Sequence, residues 1–296
     1  MKLEFRDSVY EIKPYSCSPC NEFPFYINVT NICNAKCEFC SNACNNDYGK
    51  LDLDYLKEIL DKVSDKVSRF SISGGETLIN PEDMEELLKL LHNYDRRITM
   101  NTNGSFLIDN IAMLNKYSNI ESIQLSRHHY DDEKNNEVFK IKTLTFEDLK
   151  NIKVNADLRI NCLLIKNYID SGEEVIKFLE KISETEISQV GFISMMQVNE
   201  FTKENFVDYR DIISSLNDDF LETKKMADGN RCSCANYLYV AKNGKVIFVY
   251  FRYTKEFGYG GRSLFFDSTG LKEGYWFLTL RWFVINHLFF THFQFL

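Results

Sequence analysis

Three cysteines lie close together near the start of the chain, at Cys33, Cys37 and Cys40, with the spacing C-x3-C-x2-C. Thiolates are soft ligands that favour iron–sulfur clusters or zinc. Three of them can hold three irons of a four-iron cluster and leave the fourth iron without a protein ligand. A closed zinc site takes four protein ligands, and Cys44 is near enough in the sequence to be the fourth. The spacing alone therefore predicts a metal centre and leaves both metals open.

Strands and helices alternate over the part of the chain that carries this motif. Runs of β-branched and aromatic residues predict six strands, at 25–30, 69–73, 98–101, 122–126, 158–164 and 189–194. Apolar residues at helical spacing predict helices at about 52–67, 106–117, 146–152, 171–182 and 202–216, and Asn80 before Pro81 predicts the start of another. Such alternation implies a parallel α/β sheet. The pattern does not choose between an open sheet and an incomplete barrel.

Glycines and polar residues stand where these predicted strands end. The second strand runs into Gly74, Gly75 and Glu76. Glycine lets a ligand approach the main chain closely, and a carboxylate accepts hydrogen bonds from an ammonium group. Polar residues also end or line the later strands: Asn101, Asn103, Ser126, Arg159 and Asn161. Because the carboxyl ends of parallel strands in a barrel converge on one site, we expect these residues to contact a ligand there.

In these motifs the chain resembles the radical S-adenosylmethionine (SAM) superfamily. The family signature is C-x3-C-x-aromatic-C, and here Phe39 occupies the aromatic position before Cys40. The run Gly74-Gly75-Glu76 is similar to the family's GGE motif, which receives the amino group of SAM at a strand edge. The resemblance covers about residues 25–200.

The resemblance implies a partial (β/α)6 TIM-type barrel of parallel strands. It implies that Cys33, Cys37 and Cys40 are the catalytic metal ligands of a [4Fe–4S] cluster, whose open iron binds SAM. Reductive cleavage of SAM then gives a 5′-deoxyadenosyl radical that takes hydrogen from a substrate. An electron donor such as flavodoxin or ferredoxin is implied as a partner. The residues implied to contact SAM are Phe39, Gly74, Gly75, Glu76, Asn101, Asn103, Ser126 and Arg159.

Four further cysteines flank the predicted barrel: Cys17, Cys20, Cys232 and Cys234. The segment 234–249 resembles the opening of the SPASM/twitch domains that carry auxiliary clusters. However, Val249 stands where the pattern has a cysteine, and no cysteine follows Cys234. We therefore expect a degenerate module. The four flanking cysteines either form an auxiliary site with a second iron–sulfur cluster or remain free thiols.

These features divide the chain into four predicted parts: an N-terminal extension with a cysteine pair (1–24), the core barrel (25–217), a twitch-like C-terminal module (218–275) and an aromatic tail (276–296). The module contains a β-hairpin predicted to turn at Asn243-Gly244. The tail has one charged residue in 21, but polar residues interrupt it, so a membrane span is not expected. Packing on the body, an interfacial helix and an anomalous terminus remain open for it.

Charge and cysteine content limit the expected binding partners and the expected cell compartment. The net charge is −8 and the pI is near 5.3, which argues against a broad nucleic-acid-binding surface. Residues 1–10 have no apolar core of the kind found in a secretory signal. Nine cysteines without an export signal indicate metal ligands or reduced thiols, and the cytoplasm is the expected compartment.

A polar run that includes His128, His129 and Asp131 follows the fourth predicted strand. Two adjacent histidines near acids are reminiscent of a metal site, but consecutive side chains rarely point the same way. We expect a substrate-contacting loop or a solvated turn there instead.

Three functions fit this sequence. The favoured one is a radical SAM enzyme that modifies a peptide or protein side chain, because of the twitch-like module. The second is a radical SAM enzyme that acts on a small nucleotide or cofactor precursor. The third is a non-catalytic, cysteine-rich protein that binds zinc. The sequence does not identify the substrate.

Overall fold

The structure, a computed structural model, describes residues 2–5, 8–11, 22–42, 49–222, 235–253 and 263–274. Its strands are β1 (Lys2–Phe5), β2 (Ser8–Glu11), β3 (Phe23–Asn28), β4 (Val67–Ser73), β5 (Arg97–Thr102), β6 (Ile120–Ser126), β7 (Asp157–Leu164), β8 (Gln189–Ser194), β9 (Phe220–Glu222), β10 (Ala235–Val240), β11 (Val246–Tyr253), β12 (Ser263–Asp267) and β13 (Gly270–Gly274). Its helices are α1 (Leu53–Val63), α2 (Pro81–His92), α3 (Leu107–Leu114), α4 (Asp132–Phe139), α5 (Phe146–Asn151), α6 (Gly172–Ser183), α7 (Glu200–Glu204) and α8 (Tyr209–Ile213).

Eleven of these strands form one sheet in the order β13-β12-β3-β4-β5-β6-β7-β8-β11-β10-β9. Strands β3 to β8 lie side by side in chain order, and every neighbouring pair among them is parallel. The sheet stays open, with β13 and β9 at its edges in the described residues. The predicted α/β fold, a partial TIM-type barrel with six parallel strands, is confirmed.

The C-terminal strands extend this sheet at both edges. Strand β11 pairs in parallel with β8, and β12 pairs in parallel with β3. The predicted hairpin is present as β10 and β11, with Gly244 at a φ of +84° in its turn. Residues 218–275 therefore contribute strands to the barrel sheet itself. The domain boundaries stay a prediction, and the tail 276–296 lies outside the described residues.

Helices cover one face of the sheet, which we call the outer face. Asp52 caps α1, and Asn80 caps α2 with Pro81 in the first turn. The helices bury apolar residues against alternate strand residues that are fully buried, such as Phe25, Phe70, Met100, Ile160 and Phe192. The intervening strand residues lie on the opposite face, which we call the inner face.

One helix prediction was wrong in detail, and one helix was missed. The helix predicted at 202–216 is two short helices, α7 and α8, because Asn199 and Asp208 each cap a separate start. Helix α4 was not predicted, although Asp131 as its cap and two acids in its first turn are a recognisable start signal. In the described ranges, no helix has the length and apolar character needed to cross a membrane.

Candidate active site

The cysteine motif occupies the loop after β3, at the carboxyl end of the sheet. Cys33 is exposed, while Cys37 and Cys40 are partly buried. Burial, followed by the nearby thiols of Cys40 and Cys33, raises the pKa of Cys37 to about 12. Burial also raises the pKa of Cys33. The three thiols therefore lie close enough to sense one another's charge, and a bound cation would favour their thiolate forms.

Gly74 and Gly75 hold this loop against the end of β4. The amide of Gly75 donates to Thr30 O at 2.7 Å, and the amide after it donates to Ile32 O at 2.9 Å. A Cβ at Gly75 would lie 2.3 Å from Ile32 O, and one at Gly74 would lie 2.6 Å from Thr30 O. Glycine is required here because the cysteine loop itself occupies the space.

Glu76 lies fully buried beneath the loop. Its Oε1 accepts hydrogen bonds from the Thr102 hydroxyl at 2.6 Å and the Leu78 amide at 3.1 Å, and its Oε2 accepts one from the Asn103 amide at 2.7 Å. Burial raises the pKa of this carboxyl. In these contacts Glu76 ties the end of β4 to the end of β5. The SAM contact predicted for its side chain stays a prediction.

Asn103 belongs to a closed set of hydrogen bonds beside Cys33. Its Nδ2 donates to Asn34 Oδ1 at 3.0 Å and lies 4.0 Å from Cys33 Sγ. Asn34 Nδ2 donates to Ser105 Oγ at 2.9 Å, and Ser105 Oγ donates back to Asn103 Oδ1 at 2.6 Å. The set fixes the cysteine loop to the end of β5. Asn34 and Ser105 were not predicted, although Asn34 lies inside the motif.

Phe39, the aromatic residue of the motif, packs edge-on against His128 with ring centroids 5.0 Å apart. His128 stacks on Phe139 of α4, and the Phe139 carbonyl accepts from the Lys36 amide at 3.1 Å. Nδ1 of His128 accepts from the Leu163 amide at 3.0 Å, which requires a neutral ring nitrogen. Burial lowers the pKa of His128 to about 3. This histidine is a packing residue that clamps the cysteine loop.

The polar run after β6 is only partly solvated, since Asp131 is exposed. His128 and His129 are buried, and their Nδ1 atoms accept hydrogen bonds from different amides, those of Leu163 and Asp131. Arg127 is also buried, in an ion pair with Asp132. The two histidines therefore face different partners.

Three other predicted SAM contacts lie on or near the inner face. Asn101, at the end of β5, donates to Ile72 O at 3.3 Å. Ser126, at the end of β6, is partly exposed. Arg159, farther from the carboxyl end of its strand, pairs with Asp157 at 3.1 Å. Arg159 thus already has an anionic partner on its own strand, and the role predicted for these residues stays a prediction.

Across the sheet, a chain of hydrogen bonds runs along the inner face. Tyr250 Oη of β11 donates to Asn161 Oδ1 of β7 at 2.6 Å, and Asn161 Nδ2 donates to Gln124 Oε1 of β6 at 2.9 Å. The Tyr250 ring reaches β7 by crossing Gly191 of β8, where a Cβ would lie 2.1 Å from the ring. We call Gln124, Asn161, Tyr250 and Arg252 the inner wall.

The last member of the inner wall, Arg252, lies one residue before the end of β11, and its guanidinium stands 5.5 Å from the Tyr250 ring centroid. Tyr250 and Arg252 were not predicted as site residues. The signal was present, because in β11 these polar residues alternate with the buried Val249 and Phe251.

The residues fit the cofactors by chemistry. Three thiols in one loop suit an iron–sulfur cluster by number, spacing and softness. Beside Gly74, Asn28 Oδ1 is buried without a hydrogen-bond donor, which suits an ammonium group. In the described ranges no three Cys, His, Asp or Glu side chains already converge as a metal site. The predicted auxiliary ligands Cys17, Cys20, Cys232 and Cys234 all lie outside those ranges.

Residues 27–213, more than half of the chain, match the family model of the Radical SAM superfamily. The chain is 25% identical over 213 residues to the GTP 3′,8-cyclase of Clostridium perfringens strain 13, covering 69% of this chain and 64% of the cyclase. It is 25% identical over 81 residues to YydG of Bacillus subtilis strain 168, whose name places it in peptide biosynthesis, covering 26% of this chain and 25% of YydG. The comparisons do not confirm the SPASM/twitch-like module.

Among solved structures, SuiB of Streptococcus suis bound to precursor peptide SuiA superimposes with a TM-score of 0.53 at 24% identity. The match covers 62% of this chain and 41% of SuiB. SuiB bound to S-adenosylmethionine gives the same TM-score and covers 43% of that chain. At this identity the likeness shows the fold. The chain thus spans less than two thirds of the cyclase and less than half of SuiB.

Proposed function

The chain belongs to the radical SAM superfamily, and on that premise we propose that it modifies a side chain of a peptide or protein. Its cofactors are SAM and a [4Fe–4S] cluster. When bound, the cluster supplies the electron that cleaves SAM to methionine and a 5′-deoxyadenosyl radical. Membership makes the chain an enzyme and sets aside the non-catalytic zinc protein.

In this proposal the cysteine loop carries the cofactors. Cys33, Cys37 and Cys40 hold the cluster, and the pinned backbone of Gly74 and Gly75 receives SAM at the end of β4. The orphaned acceptor Asn28 Oδ1 lies beside Gly74 and suits the ammonium of SAM. The ring contact between Phe39 and His128 helps to hold the loop in place.

The open inner face carries the substrate part of the proposal. The described sheet has two free edges rather than a closed lumen, so an extended peptide can lie along the carboxyl ends of β6, β7, β8 and β11. Along these strands Gln124, Ser126 and Asn161 are only partly buried and present polar groups. Sequence similarity to YydG supports a peptide substrate as well.

A nucleotide substrate is the second candidate, favoured by the 213-residue similarity to a GTP 3′,8-cyclase. For either substrate, we propose a cytoplasmic enzyme that receives its electron from a flavodoxin or a ferredoxin.

Hydrogen transfer from a labelled extract distinguishes the two candidates. The source cells are grown in deuterated medium, and their extract is separated into a peptide fraction and a small-molecule fraction that contains nucleotides. Anaerobically reconstituted enzyme is given SAM, dithionite and one fraction. We expect deuterium in 5′-deoxyadenosine with the peptide fraction. Label from the small-molecule fraction alone would overturn the peptide proposal in favour of the nucleotide.

A further inference from the structure

Arg252 differs in its ionic partners from three other arginines of the described residues. Arg127, Arg159 and Arg210 each form an ion pair with an aspartate. Within the described ranges Arg252 has no ion pair, and its Nε is buried without a hydrogen-bond partner. Its guanidinium carbon lies 5.5 Å from the centroid of the Tyr250 ring. A guanidinium that is partly removed from water without an anion carries an uncompensated desolvation cost.

The backbone directs Arg252 onto the inner face at its carboxyl end. Arg252 pairs with Ile193 of β8, and its neighbour Phe251 is fully buried on the outer face, stacked on Phe192. Because side chains alternate along a strand, Arg252 shares the inner face with Tyr250. This is the end of the sheet from which the cysteine loop also emerges.

Tyr250 holds a fixed position beneath the guanidinium. Its hydroxyl donates to Asn161, and its ring fills the space that the missing side chain of Gly191 leaves. The cation therefore rests against a rigid aromatic face rather than on a mobile stem. A rigid guanidinium fork with free donors matches the two oxygens of a carboxylate.

We propose that Arg252, supported by Tyr250, binds the side-chain carboxylate of an Asp or Glu residue in the substrate peptide. This assignment rests on the proposed peptide function. A single guanidinium matches the single charge of a carboxylate better than the several charges of a polyphosphate. The chain carries a net charge of −8, so an acidic peptide gains nothing from the overall field and needs a local cation.

Retention of a random heptapeptide library tests this assignment. The reconstituted enzyme with SAM is immobilised under anaerobic conditions, and the retained peptides are sequenced. We expect wild type to enrich peptides that contain Asp or Glu. In Arg252→Gln this enrichment should be about tenfold lower, because a hydrogen bond to a charged group is lost. Arg252→Glu should instead enrich Lys-containing peptides.

The matched control is Arg97→Gln, which removes the same charge from an exposed residue at the opposite end of the sheet. It should enrich acidic peptides like wild type, and iron content checks the folding of every variant. Unchanged acidic enrichment in Arg252→Gln would overturn the role of Arg252 and leave the peptide function standing. The same immobilised enzyme is also offered GTP, and retention of GTP but of no peptide would overturn the peptide function itself. Peptide retention without acidic enrichment in wild type would also contradict the assignment.

Discussion

The inner face has a cofactor half, at the ends of β3, β4 and β5, and a substrate half, at the ends of β8 and β11. The two halves differ in whether their buried polar groups have partners within the protein. At the ends of β3, β4 and β5, Glu76 accepts three hydrogen bonds, and Asn34, Asn103 and Ser105 bond one another. At the ends of β8 and β11, Arg252 has no anionic partner in the described ranges. Apart from Asn28 Oδ1 and Asn42 Nδ2, the buried side-chain groups of the cofactor half have partners within the described ranges before anything binds, whereas the substrate half keeps a cation available.

This difference follows from what each half must do. The cofactor half holds one constant pair of ligands, so its loop gains from being fixed in advance by the protein's own hydrogen bonds. The substrate half must gain binding energy from the substrate, and a group already paired within the protein has little to offer. Variants that loosen the first half should therefore lose iron, while variants of the second should keep it.

Glu76→Ala should produce the largest loss of stability. It leaves the Thr102 hydroxyl and the amides of Leu78 and Asn103 buried without an acceptor, at a cost of roughly 3 kcal/mol or more. Urea unfolding and iron content measure the effect. Glu76→Gln keeps one acceptor oxygen and should be intermediate. Full iron loading in Glu76→Ala would contradict the tie between β4 and β5.

Gly75→Ala should be the next in size. The added Cβ would lie 2.3 Å from Ile32 O, and because that atom is backbone, the cysteine loop must move, at roughly 1–3 kcal/mol. We expect most of the iron to be lost on reconstitution. Gly244→Ala is the matched control, since alanine there would be strained at φ +84° but would meet no atom within 4 Å, and the variant should keep its iron. Equal iron in both variants would refute the pinned loop.

Acid should destabilise the cofactor half through His128. Its pKa is lowered to about 3 in the folded chain. Between that pH and about 6.5, the histidine is therefore protonated in the unfolded chain and neutral in the folded chain. Stability should therefore fall by up to about 1.4 kcal/mol for each pH unit below about 6.5. Urea unfolding at several pH values measures this slope. His128→Gln should flatten the slope, and an unchanged slope would show that His128 is not its source.

Gly191→Ala should cause the smallest loss of stability, and it should disturb the substrate half rather than the cofactor half. The new Cβ meets the ring of Tyr250, which can shift only by weakening its hydrogen bond to Asn161, so the cost is roughly 1 kcal/mol. Iron content should stay at the wild-type level. A double-mutant cycle with Tyr250→Ala should recover most of the cost. Purely additive costs would mean that the ring does not lie over Gly191.

Local patterns account for much of this fold. The alternation of strand and helix patterns predicts the six parallel strands, and the turn residues predict the hairpin at Gly244. The motif spacing predicts the cysteine loop after β3. The pairing of β12 with β3 and of β11 with β8 could not be predicted, because it joins residues far apart in the chain. Nothing in a local pattern specifies such long-range register.

The site was predictable to a similar degree. The cysteines, Phe39 and the glycines could be predicted, because each belongs to a short motif that is recognisable from its spacing or from its resemblance to a family motif. The motif spacing could not show that Glu76 accepts hydrogen bonds from the end of β5. Nor could it show that Arg159 has a carboxylate partner whereas Arg252 has none in the described ranges. Whether a polar residue is free depends on partners that only the folded chain brings near.

The central claim, that Cys33, Cys37 and Cys40 hold the cluster that cleaves SAM, is tested most directly by changing all three to Ala. Iron content and 5′-deoxyadenosine formation are measured after anaerobic reconstitution and reduction, beside Cys162→Ala, which alters a buried cysteine on the outer face of β7. We predict that the triple variant loses both the iron and the cleavage, while Cys162→Ala keeps both. Unchanged iron and unchanged cleavage in the triple variant would contradict the claim.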